Sequence, residues 1–216
     1  MAHPLWPLFD LRIRTERLLL RLPTDEDLVA LSAVAEAGIH PPDEMPFAVA
    51  WTDTPPAEFG RQFAQYHWRG RAAWQADDWV LDLAIFLDGD PIGTQGIRAK
   101  DFAVRRVVET GSWLGRPFQG RGFGKEARLA ILALAFDGLG AEVAESGAFR
   151  DNPASAAVSR AVGYEENGIL ILAPRGDARE SVRFRLTRAA WQSRARPPVA
   201  IAGLDECRAY FGLDAD

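Results

Sequence analysis

The chain has few of the features that mark secreted or membrane-embedded proteins. It contains one cysteine, Cys207, among 216 residues, so it cannot form a disulfide within itself, which is typical of a reducing compartment. Its longest unbroken apolar run, residues 129–136, is too short to span a bilayer. Residues 1–11 lack the basic segment and apolar stretch of a signal peptide. These absences predict a cytoplasmic protein without a membrane partner.

An excess of positive charge is also missing. The formal net charge of −5 argues against a nucleic-acid partner, because nucleic-acid-binding surfaces are basic, and it mildly favours a cationic or amine-bearing partner. The composition, 48% hydrophobic and 25% charged, is that of a globular protein. A chain of this length forms one domain, or one domain with an appendage.

The spacing of apolar residues predicts an α/β (α+β) fold. Strands are expected at residues 11–22, 79–87, 91–99, 107–115, 142–149, 164–172 and 182–186, and helices at residues 25–37, 58–75, 122–136 and 152–162. A proline-rich loop over residues 40–56 joins the first two helices. Because hairpins alternate with helical crossovers, the strands should form a mixed six- to seven-stranded central sheet flanked by helices.

The chain becomes rich in arginine and proline after residue 188, which predicts a boundary there. We expect one domain at residues 1–188 and a C-terminal appendage at residues 189–216. The appendage carries Trp191, Tyr210 and Phe211, and aromatic side chains usually need a surface to cover. It should therefore pack on the core or on a second subunit, as in a homodimer.

A glycine-rich turn separates the strand at residues 107–115 from the helix that follows. Glycines allow successive backbone N–H groups to point at one anion, and a helix N-terminus adds unpaired N–H groups and partial positive charge. The dinucleotide pattern fails because Lys125 stands where the third glycine belongs. The nucleoside-triphosphate loop fails because Gln119 and Glu126 occupy two required positions. The turn is thus a phosphate-binding candidate of another kind.

The spacing Gln119-x-x-Gly122-x-Gly124 resembles the pyrophosphate loop of the GNAT acyltransferases. Residues 15–22, with the acidic pair that follows them, and residues 152–164, which begin Asn-Pro-Ala-Ser and end Gly-Tyr, are similar to the Rim-type branch, which includes ribosomal-protein N-terminal acetyltransferases. The resemblance covers residues 11–188. It implies a fold in which strands 107–115 and 142–149 splay apart to hold acyl-CoA. It also implies direct transfer of the acyl group, in a ternary complex, to an amine of a small molecule, a protein N-terminus or a lysine.

The same resemblance implies a set of CoA-binding residues and no metal. Backbone N–H groups near the end of the strand would bond the thioester carbonyl and its oxyanion. The CoA-binding candidates are Trp113, Leu114, Gln119, Gly120, Arg121, Gly122, Phe123, Gly124, Lys125, Asn152 and Ser155.

The acid that protonates the departing thiolate is expected to be Ser155. Many family members use a tyrosine seven residues after the helix-opening asparagine, but that position is Ser159 here. The Rim-type branch assigns the role to a serine three residues after the asparagine, which is Ser155. The alternative is that Ser155 is only a first-turn hydroxyl bonded to the backbone.

The base is less well defined, because Pro174 occupies the position of the glutamate used in the Rim-type branch. Glu109, on the strand that faces the cofactor, is the leading substitute. The alternatives are Glu145, His40, and a site without a dedicated base that uses water and a partly neutral α-amine.

The acceptor amine is expected opposite the coenzyme, in the proline-rich loop and the helix after it. Acidic groups with aromatics suit a cationic amine, although the same residues also suit a solvated loop pinned to the core. The candidates are His40, Asp43, Glu44, Phe47, Trp51, Trp68, Trp74 and Trp79.

The donor is expected to be acetyl-CoA or succinyl-CoA. Residues 40–47 and 111–115 resemble a bacterial GNAT branch in which succinyl-CoA is also seen, and a succinyl carboxylate needs a cationic pocket. The cations available by sequence are Arg98, Lys100, Arg105 and Arg106. Because the usual tyrosine and glutamate are missing, the alternative function is a non-catalytic acyl-CoA-binding sensor or partner domain.

Overall fold

The computed structural model describes residues 3–213. Its strands form one sheet in the order β7-β8-β6-β5-β4-β3-β2-β1-β9. In chain order they are β1 (Arg12–Arg14), β2 (Leu18–Arg21), β3 (Asp78–Leu87), β4 (Asp90–Lys100), β5 (Val107–Leu114), β6 (Val143–Phe149), β7 (Glu165–Leu172), β8 (Arg179–Thr187) and β9 (Ala200–Ala202). The pair β5–β6 is parallel, whereas the other neighbours are antiparallel. The predicted mixed sheet is confirmed.

The sheet has nine strands rather than six or seven, for two reasons. The alternating segment at residues 11–22 bends after Arg14, so that β1 and β2 pair as a hairpin. The short apolar run near residue 200 becomes β9, which pairs with β1 at the edge of the sheet.

Helices cover both faces of the sheet. They are α1 (Asp25–Glu36), α2 (Pro56–Ala72), α3 (Phe102–Arg105), α4 (Phe123–Ala133), α5 (Pro153–Ala161) and α6 (Arg188–Gln192). Thr24 and Asp27 form a capping box at the start of α1, as their spacing predicts. Helices α1 and α2 pack on one face, where Phe59 and Phe63 of α2 belong to the same buried cluster as Ala84 and Phe86 of β3. Helix α4 lies on the other face in the main core. Every helix within residues 3–213 is too short or too polar to span a bilayer.

The C-terminal segment packs into the main core. Trp191, 1% exposed, stacks on Phe136 with ring centroids 5.5 Å apart, and its Nε1 donates to Asp137 Oδ1 at 3.0 Å. Phe211 is fully buried. Cys207 is also buried and its Sγ lies 3.1 Å from the Gly203 carbonyl; burial, with nearby carboxylates, raises the pKa of this thiol to about 12. These residues extend the same core that holds α4.

Candidate active site

The sheet splits between β5 and β6. These strands pair only where Val107–Glu109 lie beside Val143–Glu145, and the Thr110 hydroxyl then donates to the Glu145 carbonyl at 3.2 Å. Beyond this point β5 stays paired with β4 as far as Leu114, while β6 stays paired with β8. Because alternate N–H and C=O groups of a strand point to each side, the edge of β5 from Gly111 onward presents backbone groups to the gap.

The glycine-rich turn lies where the open end of the gap meets α4. Gly120 and Gly122 have φ of +71° and +84°, a conformation that favours glycine. Gly122 is the N-cap of α4, and no side chain caps this helix, so its first-turn N–H groups are available to a ligand. A Cβ on Gly124 would lie 3.6 Å from Leu114 Cδ1 and 4.0 Å from Val158 Cγ2. The start of α4 therefore sits between the end of β5 and helix α5.

The N-terminal hairpin braces this turn through Glu126. Thr15 Oγ1 and Arg17 Nε donate to its carboxylate at 2.6 and 2.7 Å. Burial would raise the pKa of Glu126, but the hydrogen bonds from Thr15 and Arg17 hold it below its ordinary value. The guanidinium groups of Arg17 and Arg121 lie 4.5 and 5.0 Å from the Phe123 ring. Arg121 thus adds a positive charge at the start of α4, whereas the charge of Arg17 is paired with Glu126. The sequence indicated a role for residues 15–22 only through the family resemblance. The Arg17–Glu126 ion pair could not be predicted, because it joins residues that are 109 positions apart.

The Gln119 side chain fixes the position of the turn through hydrogen bonds to neighbouring backbone. Its side-chain amide donates to the carbonyls of Ile39 and Leu114, both at 2.7 Å. These bonds tie the turn to the end of β5 and to the segment after α1.

Helix α5 begins on the far side of the gap. Asn152 Oδ1 accepts a hydrogen bond from the Ser155 backbone N–H at 3.1 Å, so Asn152 provides the helix cap. Ser155 is half-buried. Ser159 is fully buried, with its hydroxyl 3.4 Å from Ser146 Oγ.

A buried arginine joins the two diverging strands, and sequence reasoning missed it. Arg128 of α4 is 3% exposed, and its guanidinium donates to Ser112 of β5 at 3.2 Å and to Ser146 of β6 at 3.1 Å. Its Nε donates to Gln95 Oε1 at 3.4 Å. Burial lowers the pKa of Arg128, and nearby Tyr164 partly opposes that change. No carboxylate within residues 3–213 lies in ion-pair range of this cation.

Glu109 lies at the closed end of the gap, paired with two arginines. Its carboxylate contacts Arg98 at 2.8 Å and Arg183 at 3.0 Å, and Arg183 also contacts Glu145 at 3.2 Å. Burial would raise the pKa of Glu109, but Arg98 and Arg183 bring it below its ordinary value. Glu109 is therefore ionised at neutral pH with a low affinity for protons.

Comparison with known proteins identifies the family. A family model described as an acetyltransferase (GNAT) domain matches residues 17–165. The chain belongs to the GNAT acetyltransferase family. As a member of this family it is an acyl-CoA-dependent N-acetyltransferase by class, and the family predicted from the glycine-rich turn is confirmed.

Solved structures share the GNAT fold at low sequence identity. Mycobacterium smegmatis RimJ in complex with CoA-disulfide is 22% identical with a TM-score of 0.67, over 84% of this chain and 88% of that one. RimL, a ribosomal L7/L12 α-N-protein acetyltransferase in complex with coenzyme A, is 17% identical with a TM-score of 0.64, over 80% and 95%. A GCN5-related N-acetyltransferase from Brucella melitensis is 18% identical with a TM-score of 0.66, over 84% and 80%.

The proline-rich loop of this GNAT protein is fixed from two sides. Trp51 lies 5.2 Å from Phe47 and 5.8 Å from Trp113 of β5, measured between ring centroids. Arg175, between β7 and β8, pairs with Asp53 at 2.7 Å, and Arg179 donates to the Met45 carbonyl at 2.7 Å. The His40 ring bonds the Pro41 carbonyl and the Thr52 hydroxyl, both at 2.8 Å.

The placement of Trp74 and Trp79 beside the acceptor loop is wrong. Side chains alternate along β3, and Trp79 faces the main core, where it packs against Trp74 and Phe211. Trp68 is 45% exposed and donates to Asp25 at 2.9 Å.

The four cations considered for a succinyl carboxylate lie away from the open gap. Arg98, Lys100 and Arg105 line a shallow cavity of about 200 Å³ together with Glu109 and Glu145, at the closed end of the β5–β6 pair. Arg106 donates to the Leu139 carbonyl at 3.4 Å.

Proposed function

We propose that this GNAT protein transfers an acetyl or succinyl group from acyl-CoA to an amine by direct attack in a ternary complex. The observation that carries the proposal is the gap between β5 and β6, which opens at the uncapped N-terminus of α4. The pyrophosphate would bond N–H groups of residues 121–125, near the positive charges of Arg121 and Lys125. The pantetheine arm would lie in the gap, with the thioester at the backbone of Trp113 and Leu114 and with Asn152 and Ser155 opposite.

Ser155 is the proposed acid for the thiolate. Its hydroxyl is not needed as the helix cap, because Asn152 fills that role. Ser159, at the position of the usual tyrosine, is buried beside Ser146, which favours Ser155 by comparison.

The proposed acceptor is an α-amine rather than a lysine side chain. A carboxylate binds protons far less tightly than an alkylamine does, so it would act best on an amine that is already partly neutral. Glu109, whose pKa is lowered by Arg98 and Arg183, is a weak base even among carboxylates. An α-amine has a pKa of about 8, against about 10.4 for lysine. At neutral pH roughly a tenth of the α-amine is in the attacking form.

The function is tested by following free thiol with acetyl- and succinyl-CoA and a panel of peptides and small amines. We expect thiol release that depends on the acceptor, and a fall of roughly a hundredfold in kcat for Ser155→Ala, the lower range for loss of an acid–base group. Ser159→Ala is the matched control and should keep the parent rate. Acyl-CoA binding without acceptor-dependent release would instead favour the sensor. A Ser155→Ala rate equal to the parent's would leave Ser155 as a structural residue.

A succinyl donor is supported by Arg128, a buried cation beside the gap with neutral partners. A buried charge gains most from an opposite charge brought to it. A charge-assisted bond of about 1.5–3 kcal/mol predicts that succinyl-CoA binds roughly 10- to 150-fold more tightly than acetyl-CoA. Isothermal titration checks this, and Arg128→Gln should remove the preference while acetyl-CoA affinity changes little. Equal affinity of the parent for CoA and both acyl forms would remove the case for a carboxylate pocket.

We also propose that the protein is a homodimer. The aromatic side chains of the C-terminal segment are packed against the core of their own chain. They therefore offer little surface to a second subunit. Strand β7 is an edge strand, and its Ile169, Leu170 and Ile171 are exposed. Exposed apolar edges pair readily with another chain. Light scattering that gives a monomer would contradict the dimer.

A further inference from the structure

A row of three paired residues crosses the sheet on the face covered by α1 and α2. Asp82 of β3 pairs with Gly96 of β4, and Gly96 pairs with Gly111 of β5. Side chains alternate along strands, so the carboxylate of Asp82 is followed by two positions without a side chain. Gly111 lies two residues beyond Glu109, the last residue of β5 that pairs with β6. The row therefore leads from a carboxylate to the start of the gap.

The space above this row is open at one end, over Gly111. A Cβ on Gly96 would lie 2.3 Å from Asp82 Oδ1, so the carboxylate lies over Gly96 and toward β5. A Cβ on Gly111 would meet nothing within 4 Å, so the space above Gly111 is open. We call the open space above Gly111, bordered by the Asp82 carboxylate that covers Gly96, the trough. Since neighbouring strands are about 4.8 Å apart, its width is roughly that of one ammonium group and its bonded carbon. Glycine inside a strand lowers stability and often marks the close approach of a ligand.

Asp82 is held in position by a neutral partner. The Tyr66 hydroxyl of α2 donates to Asp82 Oδ2 at 2.7 Å. Arg98, the cation closest in sequence to the trough, pairs instead with Glu109. Among residues 3–213, Asp82 forms no ion pair within 4.0 Å. A carboxylate without an ion-pair partner, beside the open space above Gly111, suits a cation supplied by a substrate.

Of the two carboxylates Asp82 and Glu109 on this face, Asp82 is the stronger base. Burial raises the pKa of Asp82, partly opposed by Tyr66 and Arg98, whereas the pKa of Glu109 lies below its ordinary value. Burial lowers the pKa of His67, beside Tyr66 on α2, to about 4, so His67 is neutral at physiological pH. Burial and Asp82 raise the pKa of Tyr66, which keeps it a donor. The remaining charged groups of α2 that line the adjoining cavity of about 290 Å³ are Arg69 and Arg71.

We propose that Asp82, positioned by Tyr66, binds the ammonium of the acceptor and takes its proton, and that the amine reaches the thioester along the trough. This inference rests on the proposed acyl transfer and replaces Glu109 with Asp82 as the proton acceptor. The ammonium gives one proton to Asp82, and the free nitrogen then forms the C–N bond to the thioester carbonyl carbon. The C–S bond breaks and the thiolate takes the Ser155 proton, which the amide nitrogen restores to Ser155. Asp82 releases its proton to solvent.

The pH profile of kcat/KM for the amine tests this role. The reactive pair is an ionised Asp82 with an ammonium, so the parent profile should rise through the pKa of Asp82 and fall above that of the amine. Asp82→Asn should lower the rate by about a hundredfold or more and change the profile into one that rises up to the pKa of the amine, about 8 for an α-amine. Tyr66→Phe removes a hydrogen bond that lowers the pKa of Asp82, so its acid limb should move to higher pH. Asp90→Asn, at the exposed start of β4, is the matched control.

A second variant tests the path rather than the base. Gly111→Ala places a methyl group in open space, so the protein should fold as the parent does, but the trough is filled. We expect KM for the amine to rise at least tenfold while acetyl-CoA affinity is unchanged. Parent-like kinetics in Gly111→Ala, or a parent-like profile and rate in Asp82→Asn, would overturn the inference while leaving acyl transfer intact. A parent that transfers no acyl group to any amine in the panel would overturn both proposals.

Discussion

Replacing Gly124 by glutamate should lower the affinity for CoA about a thousandfold in a protein that remains folded. Gly124 is the second residue of α4, and a Cβ there meets Leu114 and Val158 only at ordinary contact distance, so the helix can accept a side chain. The carboxylate, however, would stand beside the proposed pyrophosphate. Like charges about 4 Å apart at an effective dielectric near 20 repel by roughly 4 kcal/mol, which is about three decades of affinity.

Titration calorimetry with CoA measures this loss, and circular dichroism checks the fold. Gly124→Gln has nearly the same size without the charge, so it separates electrostatic repulsion from bulk and should lose far less affinity. Gln119→Ala should cost on the order of 1 kcal/mol, because Gln119 acts on the turn through two backbone carbonyls. If Gly124→Glu binds CoA as tightly as the parent, the pyrophosphate is not held at this turn.

Replacing Trp191 by alanine should destabilise the whole protein by about 3–5 kcal/mol, the range for removing a buried tryptophan. Its ring is 1% exposed and stacked on Phe136, and the hydrogen bond to Asp137 is lost as well. At 2–4 °C per kcal/mol for a chain of this size, Tm should fall by roughly 6–20 °C.

Calorimetric melting checks this expectation, with Trp68→Ala as the matched control. Trp68 is 45% exposed, so its loss should lower Tm by only a few degrees. We expect a single transition in all three proteins. A Trp191→Ala variant that melts like the parent would mean that the C-terminal segment does not stabilise the core in solution.

Local chemistry in the sequence predicted the parts of the fold that depend on neighbouring residues. Asp88 and Gly89 turn the β3–β4 hairpin with φ of +53° and +97°, the two positive values that a tight hairpin turn needs. The start of α1 and the strand–turn–helix at Gly122 also follow from residues a few positions apart. These local structures form without contacts to residues far along the chain.

Features that depend on contacts between residues far apart in the sequence could not be predicted. Strand β9 has three residues, and its pairing with β1 joins positions nearly 190 apart. The trough needs the register of three strands, which alternation within one strand does not determine. Arg128 lies in a helix that is apolar on most sides, and only the splitting of β5 from β6 gives its guanidinium two serine partners. The low proton affinity of Glu109 could not be predicted either, because one of the arginines that pair with it, Arg183, lies far along the chain on β8.

The burial of Cys207 affects how the reaction can be followed and how well the protein tolerates oxidants. The thiolate is the reactive form of cysteine, and a pKa raised to about 12 leaves almost none of it at neutral pH. Because Cys207 is the one cysteine of the chain, a chromogenic disulfide reagent should titrate released CoA with almost no background from the folded enzyme. The same burial should protect the chain from forming a mixed disulfide with its own product, so purification and assay need no reductant.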